Sequence, residues 1–330
     1  MSPLDGAEAM TDLPTARGDD PPLRSDDASA DAAAAAVSWR ELLADAAARL
    51  AAAASDPDSG LASDNAQQEA RWLVERAAGF DAAELLRELD APATERSTTH
   101  LHQMLERRVA GEPLQYVLGR WGFRSLDLYV DRRVLIPRPE TEVLAEVALA
   151  ECERLGARVA VDLGTGSGAL ALALAAERPK LEVWGTDASA EALAVARANL
   201  AGQGRMVATR VRLVEGDWFA ALPVDLRGRI DVIVTNPPYV AEHEMPELPA
   251  DVRDWEPELA LVSGGPTGLD DVAAIVAEAP GWLARPGSLL VEMAPHQADA
   301  ARDLARAAGF TSVSVWPDLT GRDRILQARL

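Results

Sequence analysis

Four adjacent residues near the middle of the chain could hold a planar nitrogen group. Pro237 and Pro238 can neither extend a sheet nor continue a helix, so they restrict the backbone strongly. Asn236 precedes them and follows an apolar run, 230–235, that is typical of a buried strand. Its side-chain oxygen and the Pro237 carbonyl can each accept one N–H of an NH₂ group, and the ring of Tyr239 can stack on that group. We therefore predict that these four residues form the catalytic site for an amide or amine nitrogen.

An amide nitrogen is a poor nucleophile because its lone pair is delocalised into the carbonyl. It must be held with that lone pair aimed at an electrophilic carbon, so positioning and electrostatics supply most of the catalytic gain. Asn-Pro also opens many ordinary turns, and the tetrapeptide alone could be a plain loop. The segments around it decide between these interpretations.

A glycine-rich loop lies about seventy residues earlier and directly follows a short apolar run, 159–163. Glycines allow close backbone approach to a ligand and permit positive φ, and the helix that follows offers unpaired N–H groups. In a doubly wound sheet, such a loop at the end of the first strand binds a nucleotide-like cofactor. The predicted cofactor-binding residues of the loop are Gly164, Thr165, Gly166, Ser167 and Gly168.

Acidic and aromatic residues follow the neighbouring predicted strands. Asp187 ends the second strand, where a carboxylate can accept both ribose hydroxyl protons. Asp162, just before the loop, would repel a pyrophosphate but tolerate an ammonium group. Trp218 follows the third strand and offers a broad apolar face for a purine ring, although it could equally be a core residue. The loop also fits a dinucleotide fingerprint, but this set favours S-adenosylmethionine.

The net charge, the apolar runs and the cysteine count of the sequence limit which partners and which cellular location we expect. The chain has 330 residues, a net charge of −21 and one cysteine, Cys152. An acidic chain repels phosphate at long range, which makes direct binding of nucleic acid unexpected, although a local basic groove would escape this argument. No apolar run approaches the ~20 residues of a membrane span, and no secretory signal is evident. We expect a cytoplasmic protein with no membrane association, in which Cys152 only packs in a helix.

Patterning divides the chain into four predicted parts. Residues 1–37 hold eight acidic residues and two arginines and are predicted to be a disordered tail. Residues 38–112 show helical spacing with capping boxes at Ser38 and Asp81, which predicts a helical bundle that recognises the substrate. Residues 113–137 read as a β-hairpin linker that includes strand-like 116–118. Residues 138–330 alternate strand and helix, so we predict a doubly wound α/β sheet with an antiparallel pair at one edge.

These motifs together resemble the peptide chain release factor N5-glutamine methyltransferases (the PrmC/HemK family), over about residues 38–330. The motifs that carry the resemblance are Gly-Glu-Pro-Leu at 111–114, Leu-Ile-Pro-Arg-Pro-Glu-Thr-Glu at 135–142, the loop 162–168, Asn-Pro-Pro-Tyr at 236–239, Glu-Pro at 256–257, Gly-Leu-Asp at 268–270 and Gly-Arg-Asp-Arg at 321–324. The resemblance implies a seven-stranded Rossmann-like class I methyltransferase domain behind a small helical domain.

The same resemblance implies an activity and a partner. Members of the family transfer a methyl group from S-adenosylmethionine to the glutamine of the Gly-Gly-Gln tripeptide in release factors. By carry-over, the loop 164–168, Asp187, Trp218 and Asn236 would contact the cofactor, and Asn236–Tyr239 would contact the glutamine.

Several alternatives stay open at this point. Asn-Pro-Pro-Tyr also occurs in adenine-N6 methyltransferases, and relatives exist that modify a glutamine of a ribosomal protein. A binding module without turnover is a third possibility. An NAD-linked dehydrogenase is a fourth, but this sequence shows no proton-transfer pair beside the glycine loop, as such an enzyme would need. Arg138 and Glu140 could contact ligand or only cap a helix. The four histidines show no metal-ligand spacing, so no metal site is predicted.

Overall fold

The computed structural model describes residues 37–55 and 65–330, so the predicted acidic tail lies outside the described residues except for Val37. Within them, Ser38–Leu330 cluster into one unit. The first five helices are α1 (Trp39–Ala53), α2 (Ala66–Ala78), α3 (Ala82–Glu88), α4 (Glu95–Val109) and the short α5 (Leu114–Leu118). The bounds predicted between a bundle, a linker and a methyltransferase domain remain predictions.

Both predicted capping boxes form. The Ser38 N–H donates to Glu41 Oε2 at 2.9 Å, and the Glu41 N–H donates back to Ser38 Oγ at 3.3 Å. At the start of α3, the Asp81 N–H donates to Glu84 Oε2 at 2.8 Å, and the Glu84 N–H donates to Asp81 Oδ1 at 2.8 Å. Each pair satisfies two backbone groups that a helix end leaves without partners.

A buried ion pair crosses the interior of these helices. Arg108 on α4 donates to Glu69 on α2, with Nε 2.8 Å from Oε2, and both side chains are almost fully buried. Apolar residues of all five helices surround the pair, among them Leu42, Leu73 and Leu105. A guanidinium and a carboxylate are tolerated at such depth only when each compensates the other.

The prediction of strand for residues 116–118 is wrong. Leu114–Leu118 form the helix α5, which begins after Pro113 and ends at Gly119 in the left-handed region at φ 66°. Four of its five side chains are buried, so packing overrides the strand preference of Tyr116 and Val117. The hairpin is shorter than predicted and consists of β1 (Trp121–Phe123) and β2 (Leu126–Leu128), which pair antiparallel.

Seven strands build the central sheet, and they confirm the predicted fold class. They are β3 (Val159–Leu163), β4 (Glu182–Asp187), β5 (Val211–Glu215), β6 (Ile230–Thr235), β7 (Leu283–Glu292), β8 (Ser312–Pro317) and β9 (Asp323–Arg329). Their order is β5-β4-β3-β6-β7-β9-β8. The first five in this order pair in parallel, whereas β9 runs antiparallel to both β7 and β8. The chain therefore leaves β3 in one direction toward β5 and returns on its other side as β6.

Helices cover both faces of this sheet. They are α6 (Pro139–Leu155), α7 (Ala169–Glu177), α8 (Ala190–Ala201), α9 (Arg205–Ala208), α10 (Ala250–Arg253), α11 (Asp270–Trp282) and α12 (Ala298–Ala307). Val232 and Val234 of β6 pack in the cluster that contains α6 and α7, whereas Ile233 packs in the cluster that contains α11 and α12. This alternation is the period of two that a strand buried on both faces requires.

Two further findings concern the described residues as a whole. None of their helices has the length and apolar character needed to cross a bilayer. Cys152 of α6 lies buried in the core cluster, where burial raises the pKa of its thiol to about 12.

The buried pair gives a prediction about stability. Glu69→Ala leaves Arg108 buried without a counter-charge, so we expect the free energy of unfolding to fall by about 3 kcal/mol. Urea unfolding followed by circular dichroism measures this. Arg40→Ala is the control, because it removes an ion pair with Asp90 that lies on the surface; its unfolding midpoint should not change. Equal effects of the two substitutions would contradict the assigned role of burial.

Candidate functional site

A cavity of about 240 Å³ opens at the carboxyl ends of β3, β4 and β6. Its walls bring together most of the residues predicted from the sequence to bind a cofactor or an acceptor. The predicted residues that line it are Gly164, Thr165, Gly166, Ser167, Asp187, Trp218, Asn236 and Pro238. Gly168, Pro237 and Tyr239 adjoin these residues in the chain but are not themselves among the lining residues. The cavity lies at the point where strand order reverses, which is where open α/β sheets bind ligands.

The glycine loop adopts a backbone that few other residues could follow. Gly164, Gly166 and Gly168 have φ of 70°, 54° and 85°, values that cost an L residue free energy. Loop geometry is held by side chains from other elements as well. Asn199 of α8 donates from Nδ2 to the Ser167 carbonyl at 2.8 Å. The result is a curved main chain whose Gly166 side faces the cavity with no Cβ atoms in the way.

Asp162 stabilises the loop from behind and does not face the cavity. Its Oδ2 accepts the Thr165 hydroxyl at 2.6 Å and the Ala171 N–H, in the first turn of α7, at 3.0 Å. The residue is fully buried, and burial raises the pKa of its carboxyl to about 7, while the two hydrogen bonds oppose that rise. Asp162 is not among the residues that line the cavity, and its carboxyl group joins the loop to the helix.

Asp187 lies at the carboxyl end of β4 and faces the cavity. Its Oδ2 accepts the Gly166 N–H at 2.8 Å, and its Oδ1 accepts the Ser189 N–H at 2.9 Å. Burial raises the pKa of this carboxyl. Each carboxylate oxygen keeps a second lone pair, so the side chain can still accept hydroxyl protons from a ligand. Asp187 thus positions the glycine loop and can still accept hydrogen bonds from a ligand.

Trp218 forms one wall of the cavity in an unusual backbone conformation. Its φ is 39°, one of two positive values among the non-glycine residues described. The indole lies so close to Gly164 that a Cβ there would be 3.2 Å from Cζ3 of the ring. A strained backbone conformation at a cavity wall is typical of a functional site, and here it presents the face of the indole beside the glycine loop.

Asn236 is held by a chain of hydrogen bonds that reaches into the core. Its Nδ2 donates to Thr141 Oγ1 at 3.2 Å, and the Thr141 hydroxyl donates to Glu292 Oε2 at 2.8 Å. Glu292 is buried at the end of β7, and burial raises the pKa of its carboxyl to about 7, with Thr141 and Arg324 opposing. Since Nδ2 faces Thr141, the Asn236 oxygen is the end of the amide left free to accept from a ligand.

The rest of the tetrapeptide is held from its far side. The Tyr239 carbonyl accepts Gln297 Nε2 at 2.9 Å, and the same nitrogen donates to the Thr267 carbonyl at 2.7 Å. Gly268, with φ 64°, approaches so closely that a Cβ would lie 2.4 Å from the Tyr239 carbonyl oxygen. Burial raises the pKa of the Tyr239 phenol. The backbone of the tetrapeptide therefore has little freedom to move.

Arg138 does not cap α6. It occupies the N-cap position without a side-chain cap bond, and its guanidinium instead pairs with the buried carboxylate of Glu256. Nearby, Arg132 lies over the ring of Trp255 at 4.1 Å. The segment that follows Glu256 forms another wall of the cavity, with Pro257, Leu259, Ala260 and Val262. These two arginines therefore hold that wall in place.

The neighbours of Arg138 each have a separate contact. Pro139 is the first residue of α6, and Glu140 lies in its first turn, 3.6 Å from Arg322. Glu142 accepts the Arg124 N–H of the hairpin turn at 2.8 Å. Glu140 thus interacts favourably with the dipole of α6 and pairs with Arg322, and both of these partners belong to the protein itself.

Four residues of the site were missed in the sequence: Thr141, Glu256, Glu292 and Gln297. Thr141 and Glu256 lie inside segments that carry the family resemblance, which was the available signal. Glu292 ends an apolar strand run, where a charged residue marks the carboxyl edge of a sheet. Among the described residues, no group of three or more His, Cys, Asp or Glu could hold a metal ion.

Comparison with known proteins shows which family shares these features. A family model described as the methyltransferase small domain matches residues 140–250, and one described as the PrmC N-terminal domain matches residues 41–119. A release factor glutamine methyltransferase from Cereibacter sphaeroides is 43% identical over 81% of this chain and 92% of its own length. One from Xylella fastidiosa is 41% identical over 79% and 92%.

The chain belongs to the release factor glutamine methyltransferase family. This confirms the resemblance seen in the sequence motifs. A solved structure of the hMettl16 catalytic domain in complex with a 3′UTR hairpin has a TM-score of 0.50 at 17% identity, and it covers 68% of this chain and 81% of that one. At that identity it supports the fold alone.

S-adenosylmethionine is the methyl donor of the chain. The residues fit this group, because the glycine loop offers a curved main chain that lacks a Cβ at Gly164 and Gly166, Asp187 offers a carboxylate and Trp218 an aromatic ring. Around them the walls are largely apolar, with Pro137, Leu170 and Ala188 among them. The glycine loop, Asp187 and Trp218 would hold the cofactor, and their individual contacts with it remain a prediction.

The contact between Gly268 and Tyr239 can be tested with two glycines. Gly268→Ala and Gly156→Ala both place an alanine at positive φ, which should lower the free energy of unfolding by about 1 kcal/mol in Gly156→Ala and by more in Gly268→Ala, where the new Cβ also meets backbone atoms. Only Gly268→Ala forces the Tyr239 carbonyl to move, because nothing lies within 4 Å of a Cβ at Gly156. We expect kcat for methyl transfer to fall by up to about 100-fold in Gly268→Ala alone. Equal kcat in both variants would show that Tyr239 tolerates displacement.

Proposed function

We propose that this enzyme transfers a methyl group from S-adenosylmethionine to the side-chain nitrogen (N5) of the glutamine in the Gly-Gly-Gln motif of peptide chain release factors. The observation that carries the proposal is the position of Asn236. Its free oxygen lies in the same cavity as the glycine loop and Trp218, so an acceptor amide bound there would lie beside the cofactor site. Family membership supplies the identity of the glutamine.

The residues of the site divide the work of positioning. When bound, the cofactor supplies an electrophilic methyl group on a positively charged sulfur. Asn236 and the Pro237 carbonyl accept the two N–H groups of the acceptor amide and so orient its nitrogen. Pro237 and Pro238 have no N–H groups of their own to compete for the acceptor. The apolar walls exclude water, which strengthens these hydrogen bonds.

Charge at the cavity supports a protein acceptor rather than a nucleic acid. Its charged lining residues are Arg133, Asp187, Asp217 and Asp271. Arg133 is already paired with Asp131 at 2.6 Å; burial acts to raise the pKa of the Asp131 carboxyl, but the hydrogen bonds from Arg133 and Tyr129 outweigh it and lower that pKa to about 2. A polyanion would therefore meet three carboxylates and no unpaired cation at this cavity, which opposes its binding. A release factor substrate also implies a cytoplasmic location, where translation ends.

The helical residues 38–112 are proposed to recognise the body of the release factor. A groove of about 720 Å³ lies between them and the hairpin. Trp72 and Trp121 meet there edge to face, with ring centroids 6.3 Å apart, and Phe80 completes an aromatic lining. Partly exposed aromatic side chains of this kind are enriched where proteins bind one another.

Incubation with labelled methyl donor and candidate acceptors tests the function. We expect label in an intact release factor, mass spectrometry to locate it on the Gly-Gly-Gln glutamine, and no label when that glutamine is replaced by alanine. Label that persists after the replacement would reject the target. Label that enters ribosomal proteins alone, or a product that nuclease digests, would instead support one of the two alternatives.

Asn236→Ala tests the observation on which the proposal rests. Removal of a preorganised acceptor for the substrate amide should lower kcat by about 100- to 1000-fold. Unfolding should change little, because Asn236 is only partly buried and its one hydrogen bond is made at 3.2 Å. Methyl transfer within threefold of the unsubstituted enzyme would remove Asn236 from its proposed role.

A further inference from the structure

Three polar side chains are joined in a line that runs from the cavity wall into the core: Asn236, which is partly buried, and Thr141 and Glu292, which are buried. Thr141 comes from the first turn of α6, Asn236 follows β6, and Glu292 ends β7. The two hydrogen bonds that join them span 95 and 151 residues of sequence. Glu292 is 1% exposed and Thr141 is 5% exposed. Polar groups at this depth need partners, and here each finds one in the next.

The direction of each hydrogen bond follows from the chemistry of its partners. When Glu292 is ionised it can only accept, and the Thr141 hydroxyl then gives its single proton to Glu292, as it does here at 2.8 Å. The Thr141 oxygen then has only lone pairs left for Asn236, and it can meet the NH₂ end of that amide but not the oxygen. A hydroxyl with a free proton could either donate to the amide oxygen or accept from the NH₂ group, so it would not distinguish the two ends of the amide. The carboxylate therefore determines which way the amide faces.

We propose that Glu292 and Thr141 are positioning residues for Asn236, and that their hydrogen bonds turn its amide so that the oxygen faces the acceptor nitrogen. This role rests on the proposed function, because the orientation matters only where the acceptor is an NH₂ donor. With the amide reversed, two N–H donors would oppose each other and the acceptor would lose one of its two hydrogen bonds. Neither residue needs to contact the reacting atoms.

A set of substitutions separates orientation from packing. Thr141→Val keeps the shape of the side chain but removes its hydroxyl, and we expect kcat to fall about tenfold, the effect of one lost hydrogen bond. Thr141→Ser restores the hydroxyl and should stay within about threefold of the unsubstituted enzyme. Glu292→Gln resembles the protonated acid, which can donate to Thr141, and should also lower kcat. The dissociation constant for S-adenosylmethionine, measured by calorimetry, should change less than twofold in all three.

The double variant Thr141→Val with Glu292→Gln tests whether Glu292 acts on Asn236 through Thr141. If Glu292 acts through Thr141, the double variant should be no slower than Thr141→Val alone, whereas independent effects would multiply. Ser288→Ala is the matched control. Ser288 also lies on β7, four residues before Glu292, and donates to a different buried glutamate, Glu151, at 2.6 Å. It should lower the unfolding midpoint and leave kcat within about twofold.

A spectroscopic measurement does not depend on the acceptor. The side-chain NH₂ resonances of Asn236, assigned by their loss in Asn236→Ala, should shift in Thr141→Val and in Glu292→Gln but not in Ser288→Ala. If the unsubstituted enzyme methylates no release factor, the proposed function fails. The resonances would still show whether Thr141 and Glu292 orient the Asn236 amide. Unmoved Asn236 resonances, a Thr141→Val enzyme as fast as Thr141→Ser, or multiplying effects in the double variant would each overturn this positioning role.

Discussion

The pairing of β3 with β6 sets the distance between the two halves of the site. Leu163 lies opposite Thr235, and the Thr235 hydroxyl donates to the Leu163 carbonyl at 2.7 Å. Neighbouring strands are about 4.8 Å apart, so the glycine loop and Asn236 leave the sheet side by side. The glycine loop and Asn236 are therefore brought together by the pairing of these two strands. A shift of register by one residue would turn every side chain of β6 to the other face of the sheet.

Around this pairing, the protein uses buried carboxylates to hold loops rather than to perform chemistry. Asp162 joins the glycine loop to α7, Glu256 holds the wall that contains Leu259 through Arg138, and Glu292 reaches Asn236 through Thr141. Each is buried, and its partners belong to a different segment of the chain. A carboxylate accepts several hydrogen bonds at once, which makes it an efficient connector where water is excluded.

The sequence predicted the parts of this design that are local. The glycine loop, the strand ends at Asp187 and Asn236, both capping boxes and the antiparallel edge pair follow from spacing within a few residues. Residues 116–118 were predicted wrongly because tertiary packing, and not intrinsic preference, determines their conformation. Thr141 and Gln297 could not be assigned from pattern, since their partners lie 95 and 58 residues away. Arg138 was recognised as part of a motif, but its partner Glu256 is visible only in the folded chain.

The span of the hydrogen bonds behind Asn236 has a consequence for folding. A chain that has been synthesised only as far as β6 already contains the glycine loop, Asp187 and the whole tetrapeptide. It still lacks Glu292, which pairs into the sheet with β7, and Gln297, which holds Tyr239. Contacts at such sequence separation form late, because loop closure must come before them. A nascent chain could therefore build the cofactor cradle early, whereas the acceptor site matures only after nearly all of the sheet has formed.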